Sequence, residues 1–278
     1  MPLDDLDETF GPDAEMSFFD HIDALRGHLF RSAVAVVVLA VVAFVNKHLL
    51  FDVIIFGPTR VDFWTYELLC DWSLRLTGSD SYCVKDMGFV LSNISMSGQF
   101  TQHIFISFMA GLVLAFPYII WEFWRFIKPA LSKKEKSYAK GLVFFSSMLF
   151  FIGILFGYFF LSPLSINFLG SYRVSDLVSN EINLESYISF IATLTMATGL
   201  IFELPILVYF LAKIGLIGSA WMRKNRRYAI VVILILSGIL TPSPDVASQV
   251  MMFIPLYSLY ELSIFVAAGV EKNQKAKI

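Results

Sequence analysis

The sequence predicts an all-α polytopic membrane protein with six transmembrane helices, both termini in the cytoplasm and an extracytoplasmic cap. Three observations lead there. Of the 278 residues, 57% are apolar and only 16% are charged, against roughly 25% charged in soluble domains. No charged side chain occurs in the 35 positions between Asp86 and Glu122, nor in the 32 between Lys140 and Arg173, which is hydrophobicity on the scale of a bilayer. The bases, finally, cluster in alternate connections, as cytoplasmic loops require.

Residues 1–16 read as an acidic, disordered tail, because the first 23 positions hold eight acids and no Lys or Arg. That acidity also argues against a secretory signal. From Ser17 to Phe30 the pattern fits a short amphipathic helix. Ser17 can cap it, and Phe18, Ile22, Leu25 and Leu29 share one face. Asp20, Asp23 and Arg26 are left to water or a partner, unless the helix only anchors the first span.

The six-span membrane domain is expected over about 17–268, with a cytoplasmic tail at 269–278. Span one, about 29–51, has Arg31 and Lys47 placed to snorkel from its ends. Spans two and three, about 100–124 and 138–162, are long enough for a core of ~30 Å. Span four, about 187–212, contains one acid, Glu203, followed by Pro205. Span five, about 228–240, rises only about 20 Å, and span six covers about 246–266. The turn between them, Thr241-Pro-Ser-Pro-Asp245, is too rich in proline to continue a helix. In this arrangement sixteen bases lie on the side of the termini and four, Arg60, Arg75, Lys85 and Arg173, on the other.

The long connection, about 52–98, carries Phe56, Phe63, Trp64, Tyr66, Leu68, Leu69, Trp72 and Leu74. Such an apolar load predicts a folded cap with a short helix near 61–74. The cap holds the only cysteines, Cys70 and Cys83, in a compartment where a disulfide persists. Closing a loop of about 14 residues would contribute roughly 3 kcal/mol; two free thiols are the alternative.

Four acids or amides stand out for function. Ser132-Lys-Lys-Glu135 matches a capping box, so Glu135 either starts a helix amid basic neighbours or receives a cationic ligand such as an arginine fork. Glu203 lies inside an apolar span, where an acid faces a cavity, a bundle interior or a partner; hydrogen bonding to Thr193, Thr195 or Thr198 is the structural alternative. Asp245 and Gln249 share a helix face, and Asp245 also suits a helix start after Ser243 and Pro244. Gln249 requires a partner within the membrane, and Thr241 lies across the turn. Gly153 and Gly157 form a small-xxx-small pair suited to close helix contact.

Other function classes are disfavoured. The four histidines lack metal-ligand spacing, and there is no phosphate-binding glycine loop or serine elbow. No enzyme, no cofactor and no metal is therefore expected. Basic blocks separated by hydrophobic spans do not make a nucleic-acid surface. On the residues alone, an ion-coupled small-solute transporter using Glu203 as proton carrier competes with a binding role.

Taken in order, several motifs resemble the TatC family, the polytopic subunit of the twin-arginine (Sec-independent) protein translocase. They are His21-Ile-Asp-Ala-Leu-Arg26, Phe116-Pro117 with Trp121, Phe126-Ile-Lys-Pro-Ala-Leu131 with Lys134-Glu135, Gly199-Leu-Ile-Phe-Glu-Leu-Pro205, and Leu240-Thr-Pro-Ser-Pro-Asp-Val-Ala-Ser-Gln249 with Pro255. The resemblance covers about 18–268 and implies a concave, glove-like bundle in a bacterial cytoplasmic (inner) membrane. It also implies a homo-oligomeric receptor that binds twin-arginine signal peptides. With TatA-type and TatB-type single-span partners, the family exports folded proteins using the proton-motive force.

The same resemblance assigns Arg26, Phe126, Pro129 and Glu135 to signal-peptide recognition, Glu203 and Asp245 to intramembrane polar positions, and Thr241 and Gln249 to partner-helix contact. Two positions depart from the pattern. Ala24 stands where the family carries glutamate, with Asp23 one residue earlier as a substitute acid. The proline turn is also one residue longer.

Overall fold

Helix α1 (Phe18–Val45) is a single 28-residue rod, about 42 Å long, that merges the amphipathic segment with the first span. No proline interrupts it, and half-buried or buried positions, among them Ala24, His28, Arg31, Val36, Ala40 and Ala43, follow the helical repeat along one stripe. This computed structural model describes residues 18–78, 83–127, 133–175, 177, 180–240 and 246–275.

Beyond α1, a π-helical turn (Leu49–Ile55) and a short 3-10 turn (Gly57–Thr59) swing the chain across the end of the bundle. There α2 (Trp64–Thr77) forms the cap helix and stops at Gly78, whose left-handed φ of 66° suits glycine. Strand β1 (Phe89–Ser92) leads into α3 (Gly98–Ile127). Helix α4 (Lys133–Phe156) continues through a π-helical turn (Gly157–Leu161) into α5 (Ser162–Ser171). Strand β2 (Asn180–Asn183) pairs in parallel with β1, with Phe89 opposite Asn180 and Ser92 opposite Asn183. This small ribbon ties together the two connections at the cap end, and no hydrophobic alternation announced it.

Helix α6 (Leu184–Ile201) is capped by the Asn183 side chain, which accepts from the Glu185 backbone N–H at 3.1 Å. Helices α7 (Leu204–Lys213), α8 (Ser219–Lys224), α9 (Arg226–Leu240) and α10 (Val246–Lys275) complete the chain. The apolar run interrupted by Glu261 therefore does not end the last helix, which continues to Lys275.

Among the described residues, five helical stretches are long and apolar enough to cross a membrane: Asp23–Val45, Gly98–Ile127, Gly141–Ser171, Leu184–Lys213 and Met252–Lys272. The molecule is thus an all-α polytopic membrane protein. Helix α9 has 15 residues, a rise of about 22 Å.

Helices α1 and α3 pack along most of their length, α4 packs on α6, and α10 packs on α7 and α9. Gly153 and Gly157 explain the second contact: a Cβ at Gly153 would stand 2.9 Å from Gly199 Cα, and one at Gly157 3.0 Å from Thr195 Cα. Backbones this close exclude any side chain, which is how membrane helices gain dispersion contacts.

The cap rests on buried tyrosines and rings. The Tyr66 hydroxyl lies 3.0 Å from the Pro58 carbonyl and 2.9 Å from that of Pro163, able to donate to either; burial pushes its pKa up. Thr65 Oγ1 donates to the Phe159 carbonyl, and Phe63 stacks on Phe159 at 5.8 Å. A Cys70–Cys83 disulfide joins α2 to the segment leading into β1.

Candidate functional site

A polar centre forms where α1 meets the end of α3. Ala24, His28 and Arg31 recur at four and three residues on α1, so they share a face. Opposite them, α3 presents Glu122, a carboxylate only 1% exposed. His28 Nδ1 lies 2.5 Å from Glu122 Oε2, and Arg31 Nη1 lies 3.6 Å from the same oxygen. Arg125, one turn along α3, brings Nη1 to 3.4 Å from Oε1. A buried carboxylate of this kind is tolerated only with such partners.

Phe126 sits at the edge of this centre, with its ring centroid 6.1 Å from that of His28 in an edge-on arrangement. Asp23 and Arg26 lie on α1 beside it, but exposed. One residue rotates a helical side chain by about 100°, and Asp23 is exposed where Ala24 is half-buried. Glu122, supplied from α3, faces the His28 and Arg31 stripe of α1. Glu135 belongs to the first turn of α4, but its side chain lies outside the described residues, as does Pro129.

Glu122 and His28 were not singled out from the sequence, and Arg31 was read only as a base snorkelling from the end of span one. One signal was available: an acid set among Trp121, Phe123 and Trp124, three residues from Arg125, has little reason to face lipid.

A second polar centre lies within the bundle at Glu203, in the break between α6 and α7. Ser146 Oγ on α4 donates to Glu203 Oε2 at 2.7 Å. Oε1 is buried and has no hydrogen-bond partner among the described residues. Two of the three threonines considered as partners bond their own helix: Thr195 Oγ1 donates to the Ile191 carbonyl at 2.7 Å and Thr198 Oγ1 to that of Leu194 at 2.6 Å.

Near the far turn, Gln249 Nε2 donates to the Leu234 carbonyl at 3.2 Å, linking α10 to α9. Thr241 and Asp245 lie outside the described residues. Among the described residues, no group of three His, Cys, Asp or Glu side chains is arranged to hold a metal ion. The arrangement offers carboxylates and rings at one end of the bundle and an under-bonded acid inside it.

The family model for the Sec-independent protein translocase protein (TatC) matches residues 20–255. The TatC protein of Blattabacterium sp. subsp. Periplaneta americana is 38% identical over 261 residues, covering 94% of this chain and 98% of that protein. The Carboxydothermus hydrogenoformans TatC protein is 32% identical, covering 94% and 97%. A crystal structure of the twin-arginine translocase receptor TatC superposes with a TM-score of 0.61 at 32% identity, covering 90% of this chain and 99% of that one. The motif order, the bundle and these matches agree, and the chain belongs to the TatC family.

Proposed function

We propose that the cytoplasmic ends of α1 and α3, with the start of α4, form a surface that binds the paired arginines of a signal peptide. In this reading the chain is the receptor and core membrane subunit of a twin-arginine translocase, a transport protein and not an enzyme. It exports folded proteins using the proton-motive force, in company with TatA-type and TatB-type subunits. Its place is the inner membrane, as a multi-pass protein. Six crossings with both termini cytoplasmic are the topology we assign to it, with α9 as the short fifth crossing.

The observation that carries the reading is the Glu122 centre. By engaging His28 and Arg31, Glu122 commits one face of α1 to α3 and leaves Asp23 and Arg26 exposed. Asp23 and Glu135 are the carboxylates we assign to the guanidinium groups, with Arg26, Phe126 and Pro129 assigned to the same recognition role. A carboxylate matches the guanidinium fork through two parallel hydrogen bonds, which a lysine ammonium cannot reproduce. Thr241 and Gln249 are assigned to the contact with a partner helix, and Glu203, Asp245 and Gln249 to polar positions within the bilayer.

Crosslinking of a twin-arginine signal peptide to the full-length protein in membranes tests the recognition surface. Glu135→Gln should reduce crosslinking by about tenfold, the value of one charge-assisted pair, with the amount of folded protein unchanged. Undiminished crosslinking would leave Glu135 only the capping of α4. Deletion of the chain should abolish export of folded twin-arginine substrates and leave small-solute uptake intact, the reverse of what a transporter using Glu203 as proton carrier would give.

A further inference from the structure

Beside the cap helix, α2 and the α4–α5 segment enclose an apolar crevice of about 560 Å³ lined by Trp64, Ile152, Leu155, Phe156, Phe159 and Phe160. Trp64, Ile152 and Leu155 are about half exposed, so the crevice opens sideways, toward where lipid lies around a membrane bundle. Ile152 to Phe160 spans about 12 Å of helix, most of one leaflet of a ~30 Å core.

Trp64 is also a wall of a smaller recess, about 230 Å³, that contains Arg60 and Asp62. These two side chains form a two-pronged pair, with Arg60 Nε donating to Asp62 Oδ1 at 3.0 Å and Nη2 to Oδ2 at 2.8 Å. Both are 63% exposed. The mutual hydrogen bonds hold the Asp62 carboxyl below its usual range, so both charges are present at neutral pH. Each partner keeps unused capacity: three guanidinium N–H donors on Arg60 and further lone pairs on Asp62. The apolar slot and the recess that holds the ion pair thus share Trp64 as a common wall.

We propose that this crevice and ion pair are a binding site for one phosphatidylethanolamine molecule, with an acyl chain in the slot, the phosphate on Arg60 and the ammonium on Asp62. The headgroup chemistry discriminates among phospholipids. A primary ammonium donates hydrogen bonds to a carboxylate, a quaternary one has no N–H to donate, and an anionic headgroup with no cation is repelled by Asp62.

The slot does not suit a transmembrane partner helix. Its walls carry bulky rings and branched chains instead of the small residues at which membrane helices meet. Trp64 at the mouth fits an interfacial position, where its ring spans apolar and wet surroundings.

Native mass spectrometry of the full-length protein in mild detergent tests the site, with phosphatidylethanolamine, phosphatidylcholine and phosphatidylglycerol of identical acyl chains added in equal amounts. The wild type should retain one phosphatidylethanolamine with about threefold preference over phosphatidylcholine, the scale of one exposed ion pair. Asp62→Asn should erase that preference, and Arg60→Gln should lower retention of all three lipids. Leu155→Trp, which fills the slot, should remove retention with thermal unfolding unchanged. Ile152→Phe serves the same end should the tryptophan misfold. Equal retention of the first two lipids by the wild type, or full retention by both slot-filling variants, overturns the proposal. The measurement is made in detergent and does not depend on the signal-peptide assignment, so either can fail alone.

Discussion

Glu122 shows how much the junction of α1 and α3 depends on one residue. The carboxylate is 1% exposed while its arginine partners remain one-third and one-half exposed, so the charge is buried by α1 and α3 packing over it and not by distance from water. Removing it with Glu122→Ala would leave His28 and Arg31 facing a void on α1. We expect a loss of about 2 kcal/mol, the low end for a broken buried charge contact because the arginines can turn to solvent, together with weaker signal-peptide crosslinking. Glu122→Gln keeps an acceptor for His28 and should retain most of the stability. A thermal-shift series on the two variants checks this: equal melting of alanine variant and wild type would show that the centre holds nothing. The sequence hid this residue for a physical reason. Its hydrogen-bonding partner His28 is 94 positions away, and only helix packing reveals that the two stripes face each other. Asp23, Arg26 and Phe126, by contrast, were legible because they belong to short local motifs.

At the scale of elements, the fourth span is two helices because proline and glutamate meet in it. Pro205 lacks the N–H that would bond back to the Ile201 carbonyl, and the chain tightens, with the Glu203 N–H donating to the Leu200 carbonyl at 3.1 Å. The break carries Glu203 toward Ser146 on α4. Glu203 and Pro205 were visible in the sequence, but the apolar run 187–212 read as one span through them, and the partner was not legible, since Thr195 and Thr198 bond their own helix. The open Oε1 suits a contact with an incoming helix. Glu203→Gln should preserve transport, because an amide also accepts from Ser146 and still offers a polar group. Glu203→Ala should abolish it by leaving Ser146 unpaired and the incoming group unmet. Export assays on both variants decide: unimpaired export by the alanine variant would return Glu203 to a purely structural role. The cap was legible in part. Its aromatic load and paired cysteines announced a folded unit with a helix, whereas the β1–β2 ribbon joins four-residue strands 91 positions apart, too short to show a period.

The whole molecule turns on the last hairpin. Helix α9 rises about 22 Å, short of a ~30 Å core, so the crossing we assign to it requires local thinning or a recessed end. Three contacts tie its start and the preceding α8 to the latter half of α10. Arg226 Nη2 donates to Glu261 Oε2 at 2.6 Å, the Tyr260 hydroxyl donates to the Met222 carbonyl at 2.9 Å, and Glu271 accepts from both the Ser219 N–H and its hydroxyl. The hairpin thereby returns to the level it left, which supports Lys213, Arg223, Lys224, Arg226 and Lys272 lying on one face, as the base distribution requires. Residues near Ser175, between α5 and β2, then lie on the other. A membrane-impermeant maleimide applied to intact cells without reductant, which leaves the Cys70–Cys83 disulfide unreactive, should label Ser175→Cys. It should label Lys272→Cys only after the membrane is opened. Labelling of both from outside would mean that α9 does not cross, and the count of crossings would drop to five.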